Sequence, residues 1–412
     1  MSKVVPFRAV RPAVEFVRKV ASLPYDVLSV AEAKRQIKNN PYSFLRVEKA
    51  ECDLPEETSG QEETVARQAR RNLRKMMEEG ILCQDAEAAF YLYRQQRGSH
   101  VQTGIAACVS VEEYATGRIK THENTLDQKE RERTLHIDTV GAQTGPVFLT
   151  YRGKTEIDRI VSKLQRQAPE YDFVAEDGVR HTVWVVGKSA DVEAIQDAFL
   201  SVDALYIADG HHRAAAAARV AKSRNEKGGS VSHEHDVMLA VLFPYDQLRI
   251  LDYNRAIKGL NGLPEEEFME RLYEVFHVVP NYQEKLPQKI HEFGMYLRGG
   301  KWFLLKAREE ILQENEILAM LDVSLLQNRF LEPVLGIKNP RTDSRITFIG
   351  GAKGASGLED VVDKEGFTVA FSLFPPTIEQ MMAIADGGMV MPPKSTWFEP
   401  KLRSGLFVHL ID

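Results

Sequence analysis

Residues 207–213 read IADGHHR, and five alanines follow. An apolar strand that ends in Asp-Gly puts Asp209 and the next backbone groups at the carboxyl edge of a sheet, where α/β proteins build sites. Gly210 lets the chain turn sharply or approach a ligand closely. A helix that starts at His211 presents free N–H groups and a positive dipole end. His211, His212 and Arg213 surround that place, and the guanidinium is a planar fork suited to phosphate. The alanines let the helix pack close to its sheet and hold this first turn rigid. Taken singly, Asp209 is an ordinary helix cap and Arg213 an ordinary surface ion-pair partner. Four polar groups together at one strand–helix junction point to a site. Adjacent histidines point about 100° apart on a helix, which is not a metal-ligand spacing, so no metal is assigned to protein ligands.

Three further stretches carry chemistry. GRIKTHENTLDQKERER (117–133) places His122 beside Glu123, a base next to a charge-stabilising group. Lys129, Arg131 and Arg133 after them read as a charged helix face. MPPKSTWFEPKLRSGL (391–406) holds Lys394, Ser395 and Lys401 among prolines. It matches the end of a Walker A loop but lacks the glycines of GxxxxG, so it is not a P-loop. Burying those groups requires partners, which a ligand or an interdomain seam would supply. LPYDVLS (23–29) is a proline-set turn that carries Tyr25 and Asp26. HEH at 233–235 lies in the best loop candidate, 222–236, and reads as solvated.

The elements that must position these residues alternate. Helices are expected over 31–40, with a stop at Asn-Asn-Pro, and over 64–81, with a stop at Gly80. AAFYLYRQQ and TGIAACVSV read as a hairpin around Gly98, and GPVFLTYR, VRHTVWVVG, ALYIAD and DVMLAVLFPYD as strands. SADVEAIQDAFLS has a capping-type start at Ser189. Beyond 260 come a helix PEEEFMERLYEVF, a hairpin at Gly299-Gly300, a helix SLLQNRFLEPVLG, and RITFIGG, LEDVVDK, FTVAFSLF and TIEQMMAIADGG as alternating strands and helices. The fold class is α/β to α+β, with mixed sheets and flanking helices. Three regions are expected: 1–120, 121–260 and 261–412, the last returning to the cleft through its terminal segment.

Composition excludes several classes. The 412 residues are 43% hydrophobic and 27% charged, with a net charge of −6. That balance argues against a nucleic-acid coat. Three widely spaced cysteines make neither a metal knuckle nor a disulfide framework, so a reducing cytoplasm is the expected compartment. No apolar stretch nears the roughly 20 residues of a membrane span, and the N-terminus is not a signal peptide.

The stretches VVPFRAVRP, LPYDVLS, NPYSFLRVEKAE, IKTHENT, IADGHHRAAAA, LDVSLLQNRFL and MPPKSTWFEPKLRSGL, in that order, resemble the family known as domain of unknown function 1015. The resemblance covers nearly the whole chain. DGHHR before an alanine-rich helix is also similar, more distantly, to the phosphate-binding motif of the ParB/sulfiredoxin-like superfamily, which includes free L-serine kinases and nucleotide-binding partition proteins. That resemblance implies a central nucleotide-binding unit, with Gly210, His211, His212 and Arg213 on the nucleotide phosphates and ATP or ADP as donor with Mg²⁺. It implies an acid that activates the acceptor hydroxyl, for which Asp26, Glu123 and Asp209 are candidates. Sulfiredoxin chemistry needs a cysteine where this chain has histidines. The expected activity is phosphoryl transfer to a small hydroxyl compound. Nucleotide or phosphoester hydrolysis and non-catalytic nucleotide sensing are the alternatives. Nucleic acid and membrane are not expected partners, and a homo-oligomer is compatible with the sequence.

Overall fold

The computed structural model describes residues 2–228, 233–314 and 316–412. The chain is mixed α/β and forms two compact units, Met1–Leu248 with Pro400–Asp412, and Arg249–Glu399. This differs from boundaries near 120 and 260. The reason is strand pairing: His100–Ser110 lies directly beside Val237–Pro244, so residues on both sides of 120 share one sheet.

The first unit is built on a nine-stranded sheet. The hairpin Phe90–Arg97 and His100–Ser110 turns at Gly98, where φ is +58°, a conformation that glycine adopts without steric cost. Next to it run Val237–Pro244, then Val147–Tyr151, then Leu205–Asp209, and finally Ile119–Lys120 at the edge. Leu205–Asp209 is parallel to Ile119–Lys120 and antiparallel to Val147–Tyr151. Two consequences follow for function. The carboxyl end of Ile119–Lys120 delivers His122 and Glu123 to the same sheet edge as Asp209. The start of Val147–Tyr151 brings Gly145 and Pro146 there as well.

The helix His211–Lys227 is 17 residues long. Ala214, Ala217 and Ala221 enter the sheet core, while Ala216 and Val220 pack on Ile137 and Ile411. The helix is therefore enclosed on two faces, and only a small side chain lets it lie that close; adding methylenes here would overpack at about 1–3 kcal/mol per site. Beside it runs the helix Asp127–Val140, tied by Arg219 to Asp127 and by Arg224 to Asp138. Val30–Asn39 starts with a full capping box between Ser29 and Glu32. Three expectations change locally. Residues 222–227 are helical rather than loop, and 229–232 lie outside the described residues. Ser189 is the first helical residue, after Lys188, and caps nothing. In HEH, His235 is buried and bonds Asn225, so it is not solvated.

The second unit has a six-stranded sheet in which Tyr253–Ile257 lies between Ile346–Gly350 and Val369–Leu373. Gly354–Lys364 covers one face through Leu358 and Val362. The stretch expected as one helix over 324–336 is an α-turn, Asp322–Leu326, that continues as a π-helix, Gln327–Leu331. No helix among the described residues is long and apolar enough to cross a membrane.

Candidate functional site

The chain turns from Leu205–Asp209 into His211–Lys227 through Gly210 alone, at φ 96° and ψ 30°. An L side chain rarely adopts that backbone, and a Cβ here would lie 3.2 Å from the Arg213 guanidinium. Gly210 is thus needed twice, for the turn and for the close approach of Arg213.

Each side chain of the motif is held by a different element. His211 is buried, and its ring meets that of His122 edge-on, with centroids 4.6 Å apart. The backbone N–H of His122 donates to His211 Nε2 at 3.5 Å. That acceptor role leaves the proton on Nδ1, which faces a Glu123 carboxylate oxygen 3.9 Å away. His212 Nε2 accepts the N–H of Leu126 at 3.0 Å, at the mouth of the neighbouring helix. Arg213 donates to the Pro146 carbonyl. Lys401 Nζ reaches Asp209 at 3.0 Å, and Arg213 approaches the same carboxylate at 4.0 Å. Gln95 donates to the Lys401 carbonyl, which fixes the irregular segment that carries the lysine.

Electrostatics follow from this packing. Burial alone would push the Asp209 carboxyl up, but Lys401 and Arg213 hold it well below the usual carboxylate range. Burial lowers both histidines: His122 is pushed down to about 4, and His211 falls well below its ordinary value, with the neighbouring His122 adding to the effect. Both are neutral at pH 7. Burial also disfavours charge on Arg213, yet Asp209, Asp26, Tyr25 and Glu48 together keep its pKa above the ordinary value.

That last set includes Glu48, which had no role in the sequence motifs, and it leads to Arg133. Arg133, read from sequence as part of a charged face, lies with its guanidinium 3.9 Å from the centre of the Tyr25 ring. It pairs with Glu48 at 3.3 Å. Lys129 and Arg131 of the same run are half or more exposed and pair with Glu132 and Asp127 along their own helix, as a solvated face does. Glu48 is 4% exposed, and among the described residues its Oε1 has no hydrogen-bond partner; Arg213 Nε is likewise buried without one. A cavity of about 20 Å³ lies among Glu48, Arg133, His136, Thr144, Gly145 and Arg213. It has room for about one water and not for a phosphate. Lys129 and Arg133 are four apart and share a face of the 127–140 helix, so charge and spacing alone could not single out Arg133. Glu48, in NPYSFLRVEKAE, stands between Arg46 and Lys49 and carries no local mark of burial.

The structure brings together Asp209, Gly210, His211, His212, Arg213, His122, Glu123 and Lys401. Asp26 is exposed and acts on Arg213 through charge. Lys394 and Ser395 belong to the second unit. There Lys394 is exposed, and Ser395 donates to the Pro392 carbonyl at 2.6 Å. Among the described residues no group of three or more His, Cys, Asp or Glu side chains could hold a metal.

The model of the family described as protein of unknown function DUF1015 matches residues 4–324, and the chain belongs to that family. No curated protein matches the sequence. Among solved structures, a free serine kinase in complex with AMP is 15% identical, over 73% of this chain and 91% of that one, with a TM-score of 0.37. SbnI with a C-terminal truncation, from Staphylococcus aureus, is 11% identical over 74% and 87%, with a TM-score of 0.39. A conserved hypothetical protein from Pyrococcus furiosus is 14% identical over 74% and 95%, with a TM-score of 0.37. At these scores the likeness is distant.

Proposed function

We propose that this member of the family transfers a phosphoryl group from a nucleotide, ATP or ADP, to a small hydroxyl compound, with L-serine the nearest named acceptor. The observation that carries the reading is the Gly210 turn. It sets a helix N-terminus, the Arg213 guanidinium and the Lys401 ammonium around one strand end. Phosphoryl transfer asks mainly for positioned positive charge, which this edge supplies. The resemblance of DGHHR to ParB/sulfiredoxin-like phosphate turns supports the same reading. So does the buried Arg213 Nε, a donor without an acceptor.

Roles divide by environment. Arg213, Lys401 and the backbone N–H groups of 211 and 212 take phosphate oxygens. Asp209 is held as a carboxylate and positions the two cations, which makes it a poor proton acceptor. Glu123 is 30% exposed and stands against His211, so it takes the proton of the acceptor hydroxyl. The acceptor oxygen then bonds phosphorus as the bond to the nucleotide's bridging oxygen breaks, and that oxygen leaves with the nucleotide. His122 and His211, neutral, set the geometry of this pair. Lys394 and Ser395 stay outside the assignment made for the first unit. Mg²⁺ supplies charge neutralisation on the phosphates when bound. The residues fit an ion shared with those phosphates, with oxygens from Asp209 or Glu123, rather than one held by protein alone.

The test is calorimetry with ATP, ADP and CTP, followed by phosphorus NMR with L-serine and other hydroxy compounds. Phosphoserine formation supports the reading. Nucleotide loss without acceptor makes the protein a hydrolase, and binding without turnover makes it a sensor. No binding of any of the three removes the phosphate cup altogether.

A further inference from the structure

The second unit holds a buried cation that the proposed reaction does not use. Arg255 lies on Tyr253–Ile257, an inner strand, and is 3% exposed. Among the described residues no carboxylate pairs with it. Its guanidinium donates to two backbone carbonyls, those of Tyr253 and, at 3.1 Å, Pro393. The ring of Phe348 also lies against it, its centre 4.7 Å from Cζ. Neutral acceptors compensate a buried charge poorly, and an unpaired ion in a protein interior is costly. The strain shows in its acidity: burial pushes the Arg255 pKa down to about 9.

The segment that closes over Arg255 is unusual in its own right. Pro393 precedes Lys394, which has φ 57°, uncommon for a residue with a Cβ. Lys394 is exposed, with its Nζ 5.5 Å from the centre of the Tyr253 ring. Tyr253 and Arg255 are two apart on one strand and so share a sheet face. Trp397 stands edge-on to Tyr253 at 5.2 Å and packs so tightly on Gly350 that a Cβ there would lie 2.7 Å from the indole. Two cations, one buried and one exposed, thus sit on one aromatic-framed face beneath a single turn.

We propose that Arg255 and Lys394 form an oxyanion site that takes a phosphate group. The phosphate replaces the Pro393 carbonyl at one end of the Arg255 fork, and the Lys394 ammonium meets it from the solvent side. Two positive charges with no carboxylate on Arg255 suit a dianion better than a monoanion. The inference is independent of the reaction proposed for the first unit.

Hydrogen exchange of the full chain, titrated with inorganic phosphate at constant ionic strength, tests it. Phosphate is expected to protect amides 394–398. Lys394→Met and Arg255→Lys are each expected to weaken that protection about tenfold in phosphate concentration, since each removes a charge-assisted contact or its fork. Amides 205–218 report the first unit separately, so failure of one site is not mistaken for failure of the other. If Arg255→Lys does not fold, Lys394→Met, at an exposed position, decides. Unprotected 394–398 in high millimolar phosphate overturns the site, as does protection unchanged in Lys394→Met. Equal protection by acetate overturns the assignment to phosphate.

Discussion

Lys401 Nζ stands 3.0 Å from Asp209 Oδ2, although 192 residues separate them. The pair links the irregular segment that precedes the last strand, His409–Leu410, to the turn that starts the central helix. It also fixes the charge state of the site, because the lysine and Arg213 keep Asp209 ionised despite its burial.

Lys401→Met should therefore cost both stability and binding. Losing the charge-assisted bond is worth about 1–3 kcal/mol at neutral pH. Asp209 has a folded pKa below its unfolded value. Its stabilisation is present above the unfolded pKa, near 3.9, and is lost as pH falls through the folded one. Without Lys401 that contribution shrinks, so acid unfolding should begin at a higher pH than in wild type. Urea melts at pH 7 and along an acid series measure both effects. Wild-type behaviour in both would mean that the pair is a surface contact.

Arg213→Lys and Gly210→Ala should separate binding from folding. The lysine keeps the charge but cannot hold two oxygens in parallel, so nucleotide affinity should drop about tenfold or more. Stability should change less, since Ala214, Ala217 and Ala221 still anchor the helix. Alanine at 210 must adopt a positive φ and presses its Cβ on the guanidinium. Its cost should be about 1–2 kcal/mol in stability together with the affinity loss. Calorimetry and thermal melts of the two variants, side by side, check the contrast.

The buried histidines predict a pH dependence of opposite origin. His122 titrates near 4 when folded and near 6.5 when unfolded. Between those values the unfolded chain binds more protons, so stability falls as pH is lowered from about 6.5 to 4. The slope from this one group approaches about 1.4 kcal/mol per pH unit. His122→Asn should reduce the slope of unfolding free energy against pH across that window by about that amount. An unchanged slope would mean that His122 is solvated in solution.

How much of this was legible in the sequence depended on the distance between partners. The switch from ALYIAD to HHRAAAAA is local, and the turn at Gly210 follows from it. The pairing of His122 with His211 was legible only as a guess, because it rests on a parallel register, Leu205 beside Ile119, that no local pattern encodes. Arg133 looked like Lys129 and Arg131 because all three sit in one charged run. Only the packing of Tyr25 and Glu48, more than 80 positions earlier, sets it apart. The terminal segment divided: Lys401 reaches Asp209, while Lys394 and Ser395 belong to the other unit. A stretch of prolines and lysines carries no mark of where one unit ends and the next resumes.

Glu123→Gln is the sharpest test of the proposed chemistry. The carboxylate lies 3.9 Å from His211 Nδ1, and the backbone N–H of His122 on Nε2 keeps the imidazole in the tautomer that presents N–H to it. Glutamine preserves the size and one acceptor oxygen, so the histidine pair should stay in place. It cannot take a proton from the acceptor hydroxyl. General-base loss typically costs about 10²–10⁴-fold, and the drop should appear in kcat. Nucleotide affinity should stay within about twofold, because the cations on the phosphates are untouched. The acid limb of the pH–rate profile should also vanish, a change that a merely structural glutamate would not produce. Retained turnover in Glu123→Gln would move the base to Asp26 or Asp209. Asp26→Asn would then be informative, because Asp26 is exposed and its loss leaves the fold intact. Loss of nucleotide binding together with turnover would instead make Glu123 a residue that shapes the cup.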